Sequence, residues 1–158
     1  MNEISREHFE QIKTKGEEVY KDIGDIWCPY FQASVSFNSA GLEHIKFKQH
    51  GKARTIRDQF VRLKLLNLAP TILKLSRTVQ GIRGTQHLER VRVHNRTDTV
   101  LIPVSYFEFI AVIGEVRCKV IVKQIRDGSL FFWSIIPFWG IAGDTHVKKL
   151  YSGDPETD

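Results

Sequence analysis

The chain has 158 residues, which is about one domain's worth of sequence. Hydrophobic residues make up 42% and charged residues 26%, and this balance excludes a mainly disordered, collagen-like or coiled-coil chain. The formal net charge of +5 indicates a polyanionic partner, and its distribution along the chain is more informative than its total.

The first 26 residues are predicted to form an acidic helical extension with a net charge of −3. Apolar residues recur at helical spacing from Ile4 to Val19, and the pattern ends near Gly24. The polar, acidic start is unlike a secretory signal or transit peptide. Because no apolar stretch approaches the ~20 residues that span a bilayer, we expect a cytoplasmic protein with no membrane partner.

A short strand and three helices are predicted to follow. Residues 33–37 alternate like an edge strand, and Asn38 or Ser39 is a good N-cap for a helix that contains His44. The clearest helical pattern runs from about Thr55 to Leu68, and Pro70 suits the first turn of a third helix.

The period changes from helical to strand-like at about residue 87. Turn signals separate four β-rich runs, at 88–94, 99–113, 116–126 and 130–137. The predicted fold is α+β: one domain over residues 27–151, with N-terminal helices packed on a four-stranded antiparallel β-meander, and a polar, disordered tail at 152–158.

Two predicted hairpin loops, Gly114-Glu115 and Asp127-Gly128, fix an expected register for the meander. The first loop places Tyr106 opposite Lys123 and Glu108 opposite Ile121. The second loop places Phe132 opposite Lys123 and Ser134 opposite Ile121. One face should then carry five polar side chains, Tyr106, Glu108, Lys119, Lys123 and Ser134, while the other carries the apolar Phe107, Phe109, Ala111, Val120, Val122, Phe131, Trp133 and Ile135.

The polar face has side chains that suit phosphodiester chemistry. Lys119 and Lys123 would neutralise a phosphate, Glu108 or Tyr106 would act as base or acid, and Ser134 would donate a hydrogen bond. The same residues would also make an ordinary wet face of an antiparallel sheet with cross-strand Glu–Lys pairs.

Residues 50–100 carry a net charge of +8, mostly from Arg, whose planar fork pairs with phosphate. This segment supplies most of the predicted nucleic-acid contacts: Arg54, Arg57, Lys64, Arg90, Arg92 and His94, to which the sheet adds Lys119. A solvated helix face is the alternative. His44 is a candidate proton carrier because histidine titrates near neutral pH, although a single helical histidine is often a surface or capping residue.

The order of these features resembles the barnase/EndoU/colicin/RelE-like nuclease superfamily, also known as the BECR fold. The resemblance covers about residues 33–140 and rests on Gly-Leu-Glu-His-Ile at 41–45, Gln-Phe-Val-Arg-Leu at 59–63 and Phe-Trp-Ser-Ile-Ile-Pro at 132–137. It is closest to phage and mobile-element members and to toxins of toxin–antitoxin pairs.

This resemblance implies an endoribonuclease that needs no metal and cleaves RNA by attack of the ribose 2′-hydroxyl. His44 matches the helix histidine of the superfamily, Arg54 and Arg62 match its basic helix residues, and Ser134 matches its last-strand polar position. The usual pair of a sheet glutamate and a late histidine is not visible, and the acidic N-terminal helix is an addition.

The sequence therefore predicts a catalytic set of His44, Arg62, Tyr106, Glu108, Lys123 and Ser134. It predicts no metal, since no Asp-x-Asp or His-Glu-x-x-His motif is present, and no cofactor, since the Walker and Rossmann glycine patterns are absent too. The expected partners are RNA and an acidic antitoxin or immunity protein.

Two other hypotheses remain. One is a basic nucleic-acid-binding domain without catalysis. The other is a protein-interaction domain anchored by an aromatic cluster, Trp27, Tyr30, Phe31, Phe138 and Trp139.

Overall fold

The computed structural model describes residues 3–138 and 153–158, in which four α-helices precede most of a six-stranded sheet. The helices are α1 (Arg6–Ile23), α2 (Ser39–Lys46), α3 (Ile56–Leu65) and α4 (Ala69–Leu75). The strands are β1 (Asp25–Cys28), β2 (Ala33–Ser36), β3 (Gly81–Val93), β4 (Arg96–Ile113), β5 (Val116–Ile125) and β6 (Leu130–Pro137). None of the described helices is long and apolar enough to cross a membrane.

The α+β class is confirmed, but the prediction of a four-stranded antiparallel sheet is wrong. The sheet is mixed, with the strand order β1-β2-β6-β5-β4-β3. The predicted meander is present as β3 to β6, and the β1–β2 hairpin extends it because Ser36 pairs in parallel with Phe131. Strand β2 matches the edge strand predicted at residues 33–37, whereas β1 and the pairing of β2 with β6 have no counterpart in the prediction.

Local capping explains where the helices begin and end. The Ser5 hydroxyl accepts a hydrogen bond from the His8 amide at 3.2 Å, and Gly24 ends α1 with a φ of +65°. The Thr55 hydroxyl caps α3 in the same way by accepting from the Asp58 amide at 3.2 Å. These caps lie within a few residues of the predicted boundaries.

The main hydrophobic core lies between the helices and one face of the sheet. Strand residues such as Phe109, Val120 and Phe132 pack there with Phe9 and Tyr20 of α1. A second, smaller cluster lies on the opposite face and contains Val104, Tyr106, Ile121 and Ile136, with Trp133 packed against it. The face predicted to be polar therefore has an apolar floor between its charged groups.

Before Val104, the ladder of strand β4 is formed only with β3 among the described residues. Residues 86–103 therefore form a two-stranded ribbon, which we call the ribbon. The ribbon turns at His94 and Asn95, which both have positive φ angles. Its side chains are largely exposed, and they include Leu88 (70% exposed) and Leu101 (57% exposed), which face each other across the strands. The ribbon is thus held by its backbone ladder rather than by a core of its own.

Candidate functional site

Helix α2 brings His44 onto the sheet. Asn38 caps the helix by accepting hydrogen bonds from the amides of Ala40 and Gly41 at 3.1 and 3.4 Å. A Cβ at Gly41 would overlap the Phe132 carbonyl and the Tyr20 hydroxyl, so only glycine permits this close approach. About one turn later, the buried imidazole of His44 stacks on an indole of β6 with ring centroids 4.0 Å apart.

That indole is Trp133, which a β-bulge turns toward the site. Ile121 pairs with Ser134 whereas Val122 pairs with Phe132, so Trp133 is an extra residue in β6. The predicted assignment of Trp133 to the apolar face is therefore wrong. Phe131 is also misassigned, because it lies opposite Lys123 and its ring contacts Trp133.

Three charged side chains form a buried network at the start of α3. The Asp58 carboxylate accepts a hydrogen bond from Arg62 Nε at 2.6 Å and one from Arg54 Nη1 at 3.3 Å. Arg62 is completely buried, and its Nη1 donates to Ser134 Oγ at 2.7 Å. Because a buried charge is tolerated when it is paired and hydrogen-bonded, Asp58 allows two guanidinium groups to lie side by side.

Arg54 also fixes the protonation of His44. Arg54 Nη2 lies 3.1 Å from His44 Nε2, and Arg54 Nε donates to the His44 carbonyl at 2.8 Å. Because a guanidinium only donates, Nε2 accepts and the neutral ring carries its proton on Nδ1. Burial, followed by the charges of Arg54 and Arg62, lowers the pKa of His44 to about 2, although a hydrogen bond with the Asp158 backbone acts in the opposite direction.

Residues 153–158, which we call the acidic turn, lie on this network. The main-chain oxygen of Asp158 accepts hydrogen bonds from Arg54 Nη2 at 2.9 Å, from Arg62 Nη1 and from Ser134 Oγ at 3.4 Å. Trp133 Nε1 donates to the Pro155 carbonyl at 2.8 Å. Composition predicts a disordered tail here, whereas the described residues of this segment are folded into the site.

The sheet cations lie beside the same segment. The prediction that Tyr106 pairs with Lys123 is confirmed, as is the pairing of Glu108 with Ile121. Lys123 Nζ lies 3.8 Å from the centroid of the Trp133 ring and 3.2 Å from Glu156 Oε2. Burial lowers the pKa of Lys123 to about 8 and raises that of Glu156 to about 7.

Glu108 is engaged by two cations of neighbouring strands. Its carboxylate lies 3.5 Å from Arg83 Nε and 3.5 Å from Lys119 Nζ. These are cross-strand ion pairs of the kind expected on any sheet. Lys119 also lies 5.2 Å from the centroid of the Phe138 ring.

Two buried polar atoms have no hydrogen-bond partner within the part of the chain that the structure describes. They are Arg62 Nη2 and the Tyr106 hydroxyl. Unpartnered buried donors are costly, and both belong to residues of the site. The site therefore offers donors to a polar ligand. The described residues contain no group of three or more His, Cys, Asp and Glu side chains that could hold a metal.

Two open clefts flank the acidic turn. One, of about 600 Å³, lies against β3 and is lined by Arg83, His87 and Tyr106. The other, of about 560 Å³, is lined by His44 and Trp133. Gln49 and Glu156 line both clefts, so the acidic turn lies where one cleft meets the other.

The structure brings together some of the predicted site residues and separates others. His44, Arg54, Arg62, Ser134 and Lys123 converge on the acidic turn. Arg57 and Lys64 are exposed on α3, while Arg90, Arg92 and His94 are exposed on the ribbon. Glu108 and Lys119 pair with each other on the sheet.

The predicted aromatic anchor is not one cluster. Tyr30 and Phe31 pack against Phe107 and Phe109 on the helix-covered face. Phe138 instead contacts Arg117 and Lys119. Trp27 is 55% exposed, and Trp139 lies outside the described residues.

Sequence reasoning missed Asp58, Trp133 and Glu156. The spacing of four residues between Arg54, Asp58 and Arg62 is a signal for an ion-pair network on one helix face. No comparable local signal marks Trp133, whose orientation depends on the bulge, or Glu156, whose contacts are distant in sequence.

The chain matches no known family model, and it has no significant match among curated proteins or solved structures.

Proposed function

We propose that this protein is a metal-independent endoribonuclease whose phosphate site is the Arg54–Arg62–Ser134 group. The observation that carries the proposal is the convergence of these three donors on one oxygen atom, beside an imidazole. Guanidinium and hydroxyl donors arranged in this way suit the oxygens of a phosphodiester and the charge that develops during in-line attack.

In this proposal, His44 takes the proton from the attacking 2′-hydroxyl. The phosphodiester anion, and the dianionic phosphorane formed from it, offset the positive charge of Arg54 and Arg62, which raises the pKa of His44 from its value of about 2 toward the useful range. Lys123 adds positive charge, and its ammonium, with a pKa of about 8, is a suitable acid for the leaving 5′-oxygen.

The test is cleavage of a short end-labelled RNA in EDTA, with its 2′-deoxy analogue as the substrate control. We expect the RNA to be cut, leaving a 2′,3′-cyclic phosphate, and the 2′-deoxy analogue to remain intact. His44→Gln should lower the rate by about 100-fold or more. Failure to cleave any RNA, or full activity in His44→Gln, would contradict the proposal.

Arg54→Gln gives a second test with a matched control. This change removes one positive charge but leaves Arg62 paired with Asp58. Arg62 itself is a poor choice, because it is completely buried and makes the shorter of the two hydrogen bonds to the buried Asp58 carboxylate. Lys74→Gln removes the same charge from the exposed end of α4. We expect Arg54→Gln to lose cleavage and Lys74→Gln to retain it.

Binding of RNA without catalysis is the second candidate. It is favoured by the hydrogen bond that occupies His44 Nε2, since a base needs that lone pair. In this case His44→Gln would leave RNA affinity nearly unchanged, and the affinity of the parent chain would fall steeply with salt while no RNA is cut.

A further inference from the structure

The acidic turn is a folded element with its own hydrogen bonds. The Asp154 carbonyl accepts from the Asp158 amide at 2.9 Å and from the Thr157 amide at 3.1 Å. The Asp154 side chain accepts from the Glu156 amide at 3.0 Å, and the Asp158 carboxylate accepts from the Gly153 amide at 2.7 Å. An Asp-Pro pair favours such a turn, so the segment meets the site in a preorganised shape.

The two clefts together form a groove, and six residues that line it or lie beneath it donate to oxygen atoms of this turn. Arg54, Arg62 and Ser134 bind the Asp158 main-chain oxygen, and Trp133 binds the Pro155 carbonyl. Lys123 pairs with the Glu156 carboxylate. Arg83, on the far side of the groove, donates to the Gly153 carbonyl. These donors come from α3 and the residue before its N-cap, and from β3, β5 and β6, so the turn is contacted from several sides.

The charges on the two sides are complementary. Three of the six residues in the turn are acidic, and the groove presents Arg54, Arg62 and Lys123. A polyanion that entered the groove would need the same cations. It would also need the space between the two clefts that Glu156 now separates.

We propose that the acidic turn is a tethered competitive ligand, which closes the groove in cis and must leave before a polyanion binds. The groove is thereby a recognition site for an acidic peptide with this Asp-Pro-Glu turn. That RNA is the competing polyanion rests on the proposed function, whereas recognition of the peptide does not.

Displacement of the turn is energetically feasible because its contacts are polar. Burial raises the pKa of Glu156 and lowers that of Lys123, which favours the neutral form of each. Their ion pair therefore only partly offsets the cost of removing the two charges from water. If the groove is open in about one molecule in ten, the apparent affinity for RNA is about tenfold weaker than that of the open state.

The experiment uses the full chain and a fluorescent, non-cleavable 2′-O-methyl RNA, with affinity measured by anisotropy. Glu156→Lys places a second ammonium beside Lys123 and should release the turn, strengthening RNA binding by about tenfold. Glu115→Lys makes the same charge change in the exposed β4–β5 loop and should change affinity by no more than about twofold. Equal gains in the two variants would show a general charge effect and overturn the proposal.

A synthetic peptide of residues 153–158 supplies the second measurement. Added to the Glu156→Lys protein, it should displace the RNA, and the same peptide with its three side-chain carboxylates replaced by amides should not. A chain that ends at residue 152 should respond in the same way. A peptide that displaces no RNA and leaves the Trp fluorescence of either protein unchanged would refute the proposal.

The outcomes also separate this proposal from the ribonuclease. If the peptide binds but no variant cuts RNA, the competitive turn stands and the nuclease fails. If the parent and Glu156→Lys proteins cut RNA equally at every RNA concentration and the peptide does not inhibit, the nuclease stands and the competitive turn fails.

Discussion

His44 combines burial with a fixed tautomer, and this makes it a source of pH-dependent stability. Its Nε2 accepts from Arg54, so protonation would place a hydrogen against a guanidinium. The pKa of about 2 in the folded chain lies far below the ordinary value of 6.5. The unfolded chain therefore binds a proton as the pH falls below about 6.5 while the folded chain does not, and folding loses stability in that range.

We predict that the free energy of unfolding falls by up to about 1.4 kcal/mol per pH unit below pH ~6 because of His44. Glu156 acts in the opposite direction, since its pKa of about 7 in the fold favours the folded state as the pH falls. Urea unfolding of the parent and of His44→Gln at several pH values isolates the histidine contribution. Equal pH slopes in the two proteins would show that His44 is not the source.

The approach of α2 to β6 depends on the absence of one methyl group. A Cβ at Gly41 would overlap the Phe132 carbonyl and lie 2.5 Å from the Tyr20 hydroxyl. We predict that Gly41→Ala destabilises the fold by about 1–3 kcal/mol, because neither the strand nor the buried tyrosine can move freely. The shifted helix should also separate His44 from Trp133 and reduce any activity of the site.

Gly84 provides the matched control for this prediction. A Cβ at Gly84 would have no atom within 4 Å, and the residue is exposed in β3. Gly84→Ala should therefore be neutral or stabilise the fold by up to about 1 kcal/mol. Denaturant unfolding of both variants measures the two free energies of unfolding. Similar stabilities would mean that the α2–β6 contact is looser than the structure has it.

The meander shows which parts of an element can be predicted from sequence. The Gly114-Glu115 loop sets the β4–β5 register, and both pairs predicted from it, Tyr106 with Lys123 and Glu108 with Ile121, are present. At the next hairpin, Lys123 pairs with Phe131 rather than Phe132, yet Ser134 still lies opposite Ile121. Near the loop, the β5–β6 pairing is shifted by one residue from the predicted register, and the bulge at Trp133 restores the predicted register from Ser134 onward. No turn residue in the sequence marks the position of the bulge.

The candidate site was predictable to the extent that it is local. Arg54 and Arg62 lie four residues either side of Asp58, with Arg62 on the same face of α3 and Arg54 just before the helix, and the position of Lys123 follows from strand register. The acidic turn reaches Arg54 across more than 100 residues of sequence. Periodicity and composition carry no information about such a contact, and a polar, charged hexapeptide is also typical of a disordered tail.

At the scale of the whole molecule, the fold divides the basic segment into two groups with different environments. Arg54 and Arg62 are buried and meet specific partners in the site. Arg90 and Arg92 are exposed on the ribbon, on one side of β3. Buried cations select the geometry of a ligand, whereas exposed cations attract a polyanion over distance and release its counterions.

This division predicts that the ribbon contributes to RNA affinity through salt-dependent contacts. Each phosphate contact to a single strand adds about 0.7 to the slope of log K against log salt. Arg90→Gln/Arg92→Gln should therefore make that slope shallower by about 1.4 in anisotropy titrations of the non-cleavable RNA. Arg6→Gln/Lys15→Gln removes two charges from exposed positions of α1 and should leave the slope unchanged. If the α1 variant changes the slope as much as the ribbon variant does, RNA responds to net charge alone and the ribbon is not a contact surface.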